Sequence, residues 1–393
     1  MISDVYFPRI NGVSTSIQTF RRDLEALGHE VTLIAPRYPQ SGAVDEAGIL
    51  RVPSLQVPRD PEDRMMQRGR IRRLLPNLRT RHYDLVHVQT PFIAHYAGRE
   101  LARALDLPVL ETYHTYFEEY LHHYVPLMPR RLMRFLARRF TCWQCNEMDH
   151  LIAPSRAMRD ALVDYDVRTP ISIIPTGLEA DRFERADGAN FRHRFGIDAS
   201  RPVMVHVGRI AHEKNIDFLL RMMVRVVEEV SDALLLVAGE GPALEHCERL
   251  AQELGLEKNT LFVGYLDRKH ELLECYRAGD VFVFASRTET QGLVLLEAMA
   301  QGVPVVSTAH MGTLDILEAG RGCVVVEESE AFFAEVVRGL LLDPAKRERL
   351  GEDARNYAAT WSAREMALRL VELYATVAAE RASPALASAE HQG

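Results

Sequence analysis

Cysteine is scarce in this chain. Five occur in 393 residues, and only Cys142 and Cys145 lie close together. That excludes a disulfide framework and a paired zinc site, and it points to a reducing cytoplasm. Cys142-Trp143-Gln144-Cys145 stands alone on an expected helix and reads as core or chance. No run of about 18 apolar residues occurs, so no transmembrane helix is expected. The N-terminus shows no basic segment followed by an apolar run, so no secretory signal is expected. Lysine is rarer still: Lys214, Lys258, Lys269 and Lys346 are the only four. The net charge of −8 argues against general nucleic-acid binding. Residues 1–195 hold 27 Arg and Lys against 24 Asp and Glu, whereas the remainder holds 20 against 31. With 47% hydrophobic and 26% charged residues, the bulk of the chain is an ordinary folded protein. At roughly 150 residues per domain its length fits two or three domains.

Short apolar runs alternate with helical patterns along the whole length. Val31–Ala35, Leu85–Val88, Val109–Thr112, His150–Ala153 and Ile171–Ile174 read as buried strands. Val203–Val207, Ala233–Ala238, Thr260–Val263, Val281–Phe284 and Val303–Ser307 repeat the rhythm. Continuous apolar strands separated by helices imply α/β architecture with parallel sheets covered on both faces. Ten strands exceed one short sheet, so two doubly wound, Rossmann-like domains are expected. Pro175-Thr176-Gly177 is a turn signal near the boundary. The expected division is 1–180 for the first domain and 181–362 for the second. A C-terminal helix over 363–380 is expected to pack back on the first domain, with a disordered tail over 381–393. Met1-Ile2-Ser3-Asp4 leaves room for only about three strand residues before the loop Phe7–Gly12. Strands average five or six residues, so the first strand is either short by nature or lacks residues upstream of Met1.

Four segments carry chemistry. Asn11-Gly12-Val13-Ser14 lies between the first strand and a helix. A glycine there lets a ligand approach the backbone, and a helix N-terminus offers free N–H groups to an anion. Gly208-Arg209, followed by Glu213-Lys214-Asn215, succeeds the first strand of the second half. Two cations at a strand's C-terminal end suit a diphosphate, Arg209 as a fork and Lys214 as a point charge. Ala238-Gly239-Glu240-Gly241-Pro242 is a tight turn, read either as packing near a nucleotide or as a plain loop. The strongest signal is Thr288-Glu289-Thr290-Gln291-Gly292-Leu293-Val294, with Glu297 following. Glu289 in a loop can accept hydrogen bonds from sugar hydroxyls, and Glu297 two helical turns on can accept from a ribose. Glu297 sits in an apolar stretch, where burial without a partner would be costly.

These residues resemble the retaining glycosyltransferases of family 4, which have the GT-B fold. Glu289 and Glu297 match the family's Glu-x7-Glu signature. Gly208-Arg209 with Glu213-Lys214-Asn215 is similar to its diphosphate clamp, Asn11-Gly12-Val13 to its glycine loop, and Ile174–Leu178 to its interdomain segment. The resemblance covers about residues 1–380. It implies two Rossmann-like domains facing each other across a cleft. It also implies a nucleotide-sugar donor bound mainly by the second domain, and an acceptor on the first. Transfer would retain the anomeric configuration, without a metal or other cofactor. Arg209 and Lys214 would offset charge on the leaving diphosphate. Glu289 would orient the sugar, Glu297 would hold the ribose, and the N–H groups of Leu293 and Val294 beside Gly292 would cap the phosphates. His114, after the strand Val109–Thr112, matches a position where the family often has a His near the reacting sugar.

Two basic runs bear on the acceptor. Pro129–Phe140 places Arg131, Arg134 and Arg138 at helical spacing among Leu132, Phe135, Leu136 and Phe140. Arg64–Arg81 holds Arg68, Arg70, Arg72, Arg73 and Arg79. Such stretches either lie on an anionic membrane surface or form half-buried helices with solvated arginines. Thr288–Gly292 and Glu213–Asp217 resemble most the bacterial lipid glucosyltransferases that move glucose from UDP-glucose to diacylglycerol. The expected enzyme is therefore a hexosyltransferase, cytoplasmic or peripheral on the inner face of the membrane. A GDP-mannose-dependent mannosyltransferase and a nucleotide-sugar-binding protein without turnover are the alternatives. The spacing of the two glutamates argues against a nucleotide-sugar 2-epimerase, and the chain is short for a phosphorylase.

Overall fold

Alternate residues of the strand Val203–Val207 point to opposite faces of a sheet, and both faces are covered. Val203, Val205 and Val207 join Phe282 and Phe284 in one core cluster, while Met204 joins Val281, Val283 and Leu235 in another. A strand buried on both sides is mostly apolar, and all five residues here are buried, the one polar side chain, His206, finding a hydrogen-bond partner in the Val283 carbonyl. The computed structural model describes residues 1–9, 11–39, 47–57, 60–114, 130–317 and 320–389. The chain divides into two compact units, one of residues 1–177 with 363–393, the other of 178–362.

The first unit holds β1 (Leu33–Pro36), β2 (Ile49–Val52), β3 (Ser54–Val57), β4 (Asp60–Met66), β5 (Val86–Val88), β6 (Val109–Thr112), β7 (His150–Ala153) and β8 (Ile171–Ile173). β5-β6-β7-β8 form one parallel sheet segment and β1-β2 another. Ile2 bridges Ile34 and Val88, parallel to both, and so joins the segments. The first stretch therefore contributes one bridging residue to the sheet. β3 and β4 pair antiparallel. The C-terminal helix Ala363–Ala389 packs through Met366 and Leu370 on Phe20, Leu24, Ile152 and Ile174. Its Tyr374 hydroxyl shares a 2.6 Å hydrogen bond with Nδ1 of His87. The helix runs past 380 to Ala389, where a disordered tail was expected.

The second unit holds β9 (Val203–Val207), β10 (Leu234–Ala238), β11 (Thr260–Gly264), β12 (Val281–Phe284), β13 (Val305–Ser307) and β14 (Cys323–Val325). The strand order is β11-β10-β9-β12-β13-β14, and all five pairings are parallel. The order reverses between β9 and β12. At such a switch point the two following connections leave in opposite directions and open a crevice beyond the strand ends, where doubly wound sheets bind ligands. All ten strands expected from the sequence are present. β2, β3, β4 and β14 were not expected, because each is short or mixes polar residues into the run.

Candidate active site

β9 ends at Val207, and the chain turns through Gly208 and Arg209 into the short helix His212–Lys214. Arg209 is exposed. The turn is braced from below: Ile210 N–H donates to the Glu240 carbonyl at 2.8 Å, and Gly208 N–H to that of Ala238 at 3.0 Å. This close approach explains Gly239. A Cβ there would lie 1.9 Å from the Gly208 carbonyl oxygen. Of the two readings of the Gly239–Gly241 turn, the structure supplies a packing reason in the protein itself.

β12 ends at Phe284, and Glu289 follows in the connection to the helix Leu293–Ala300. Lys214 Nζ donates to Glu289 Oε1 at 2.5 Å, each side chain being under 20% exposed. The connections after β9 and β12 flank the switch point, so Arg209, Lys214 and Glu289 share one edge of the sheet. Gly292 caps the helix with φ +91°, a left-handed conformation that strains any side chain. Leu293 and Val294 form the first turn, whose N–H groups have no partner within the helix. A third connection supports Glu289: the Gly312 N–H donates to its carbonyl at 2.9 Å.

Glu297 has a different environment. It is 3% exposed. Arg268 donates to its Oε1 and the Tyr276 hydroxyl to its Oε2, both at 2.8 Å. The cost of burying this carboxylate, read from the sequence as a sign of a ligand, is offset by two side chains of the protein. Burial, then the Glu297 charge, pushes the Tyr276 hydroxyl well above its usual range, so it stays a donor. Sequence reasoning missed both partners. Arg268 is 29 residues and Tyr276 21 residues away, and no local pattern marks them.

His206 on β9 was also missed. It is fully buried, and its Nδ1–H donates to the Val283 carbonyl at 3.1 Å. Burial, opposed by that bond and aided by the Lys214 charge, holds it down to about 4. The imidazole is therefore neutral at pH 7 and presents a bare Nε2.

Asn11, Gly12 and His114 belong to the first unit. Asn11 accepts from Ser14 N–H at 2.8 Å and caps the helix Gly12–Ala26. A Cβ on Gly12 would meet nothing within 4 Å, so the glycine is not demanded by packing. His114 follows β6, with its Nε2 3.1 Å from Oε1 of Gln89. Burial holds it down to about 4. Tyr116, Phe117, His122 and His123 lie outside the described residues. The only Asp-x-Asp triplet, Asp164-Tyr165-Asp166, ends the helix Arg156–Asp164 of this unit.

The family model for Glycosyltransferase Family 4 matches residues 10–182, and that for Glycosyl transferases group 1 matches residues 187–357. An alpha-monoglucosyldiacylglycerol synthase of Streptococcus pneumoniae is 34% identical over 314 residues, 78% of this chain and 70% of that protein. The chain belongs to glycosyltransferase family 4. The synthase of the same name from Acholeplasma laidlawii is 26% identical over 91% of this chain and 90% of its own. Among solved structures, Thermosynechococcus elongatus sucrose-phosphate synthase superposes with a TM-score of 0.74 at 22% identity, covering 94% of each chain. Anabaena HepE in complex with UDP and glucose superposes with a TM-score of 0.75 at 14% identity, covering 95% of this chain and 99% of that one. The fold is GT-B, and this family 4 member is a glycosyltransferase.

Proposed function

We propose that the chain moves a hexose, glucose from UDP-glucose, to diacylglycerol at a membrane surface, with retention at the anomeric carbon. One observation carries the chemistry: Lys214 and Glu289 meet at the switch point of the second unit, beside Arg209. Likeness to the two diacylglycerol-directed synthases supports the donor sugar and the acceptor. Arg209 and Lys214 offset the charge that builds on the diphosphate as its bond to the anomeric carbon breaks. Glu289 accepts from sugar hydroxyls, and the N–H groups of Leu293 and Val294 face the phosphates. On the first unit, His114, Asn11 and Gly12 are the candidate substrate-contacting residues. The acceptor oxygen bonds to the anomeric carbon on the face the phosphate leaves. Its proton passes to a phosphate oxygen, so neither a protein base nor a metal is required. Two relatives favour a second reading. A GDP-mannose-dependent alpha-(1-6)-phosphatidylinositol monomannoside mannosyltransferase of Mycolicibacterium smegmatis is 27% identical over 95% of this chain, and a GDP-mannose-dependent alpha-mannosyltransferase of Corynebacterium glutamicum is 26% identical over 92%.

Radiolabelled UDP-glucose or GDP-mannose, offered with diacylglycerol in mixed micelles, separates these readings. The expected result is a lipid product from UDP-glucose, undiminished by EDTA. Product from GDP-mannose alone rejects the glucose reading, and calorimetric UDP binding without product makes the chain a binder.

The helix Arg130–Cys145 supports the membrane surface. Met133, Ala137 and Cys145, spaced four or eight apart, face inward. Leu132, Phe135, Leu136, Phe140 and Trp143 face outward, each between 42% and 60% exposed. Arg131, Arg134 and Arg138 are exposed among them, and Arg138 also lies over the Tyr165 ring at 5.0 Å. A helix with its apolar residues outward and cations beside them fits an anionic bilayer interface. The second basic run contributes less, because Arg68 and Arg72 pair with Glu100 and Arg79 donates to the Ala104 carbonyl. Among the described residues no helix is long and apolar enough to cross a membrane. The protein should sediment with phosphatidylglycerol vesicles, and Phe135→Ser with Leu136→Ser should release most of it. Undiminished sedimentation of that variant would remove this helix from the interface.

A further inference from the structure

The connection after β14 carries a carboxylate that reaches three other connections. Glu328 stands three residues beyond Val325, the last residue of β14. It accepts from Arg287 twice, from Nε at 3.0 Å and from Nη2, and from Asn215 Nδ2 at 3.3 Å. Its Oε2 lies 3.7 Å from Nε2 of His310. These partners follow β12, β9 and β13 respectively, and each adjoins the site. Asn215 directly succeeds Lys214 and holds φ +58°, a conformation uncommon outside glycine. Arg287 precedes Glu289 by two residues, and its N–H donates to the Glu213 carbonyl at 3.3 Å. His310 opens the short helical turn whose Gly312 N–H donates to the Glu289 carbonyl.

An isolated exposed ion pair contributes little, but a bidentate arginine within a network of several loops is the exception. The hydrogen bonds from Arg287, followed by its charge, hold the Glu328 carboxyl below its usual range, so it remains an anion at neutral pH. Glu328 is too far along the chain to belong to the motif around Glu289, and it touches neither Lys214 nor Glu289.

We propose that Glu328 is a positioning residue, a shared acceptor that holds the connections after β9, β12 and β13 in register and so sets Lys214 against Glu289. This rests on the reading of that pair as the donor-contacting pair. Small displacements matter at such a pair, since misplacement by about 1 Å can lower a rate about 100-fold.

Hydrogen–deuterium exchange by mass spectrometry on the full chain, without any ligand, provides the first test. In Glu328→Ala, peptides spanning 209–215, 287–292 and 309–313 should exchange on the order of 10-fold faster, while those of β9, β10 and β12 stay as they are, the pattern of local rather than global opening. In the micelle assay the same variant should lose about 10- to 100-fold in kcat, with a smaller change in KM for UDP-glucose. Glu328→Gln keeps an acceptor oxygen and should restore part of both. Faster exchange confined to 326–330, or no change at all, overturns the proposal. So does equal loosening of the strands, which would mark a general stabilising role. If the unaltered protein makes no product from UDP-glucose, the functional reading fails on its own, and the exchange result still decides the role of Glu328.

Discussion

Glu289→Ala should lower kcat for hexosyl transfer by about 100- to 1,000-fold, equivalent to roughly 3–4 kcal/mol of transition-state stabilisation. The size follows from what the side chain does. It stands at the end of a sheet where the strand order reverses, partly open, with one oxygen on Lys214. On the proposed reading, removing it takes away an acceptor for sugar hydroxyls, and it frees the Lys214 ammonium from its counter-charge. The fold should barely notice. Lys214 and Glu289 are 18% and 17% exposed, between exposed pairs worth about 0.2–1 kcal/mol and fully buried ones, so the loss of stability should be on the order of 1 kcal/mol. The variant should therefore melt within a few degrees of the unaltered protein while losing nearly all turnover. Calorimetric melting and the radiolabelled lipid assay on one preparation check both halves. Unchanged turnover would remove Glu289 from the site.

Glu297→Ala should behave in the opposite sense. Its carboxylate is 4% exposed and holds two buried donors, so truncation leaves the Tyr276 hydroxyl without a partner and Arg268 without its counter-charge. Breaking a buried pair from one side costs about 3–5 kcal/mol. Arg268 is 30% exposed and can recover some hydration, which places the expected loss near 3 kcal/mol. For a unit of this size that corresponds to a fall in Tm on the order of 10 °C. Tyr276→Phe deletes one donor and its bond together, and should cost only about 1 kcal/mol. Urea denaturation of the two variants tests the ordering. A Glu297→Ala loss below about 1 kcal/mol would mean that the triad contributes little to the fold. Loss of turnover in this variant at temperatures where it remains folded would show that the carboxylate also serves the ligand.

The two glutamates of one motif thus have separate environments, and that distinction was only half legible in the sequence. Their spacing marked both as unusual, and the apolar neighbours of Glu297 marked it as buried. What the spacing did not contain was the identity of its partners, because Arg268 and Tyr276 come from an earlier segment brought alongside by the sheet. Gly239 shows the same division. The turn was evident from Gly-Glu-Gly, but the reason for glycine is the backbone of Gly208, thirty-one residues earlier. The helix Arg130–Cys145 shows it again. The arginine spacing was plain, yet the two readings of it differ only in which face meets the protein core, and periodicity alone assigns no face to the core.

The ten largely apolar strands, their α/β alternation and the cluster of chemistry-bearing residues at strand ends were determined by the sequence by itself, because burial on both faces of a parallel sheet favours apolar runs and admits few polar residues within them, such as His206, each with its own partner. The strand order that sets Lys214 against Glu289, the pairing of Glu297 with Arg268 and Tyr276, and the reach of Glu328 across three connections were decided by the tertiary structure alone. Each depends on residues far apart in the chain, and the free energy that joins them arises only when packing has already brought them within a few ångströms.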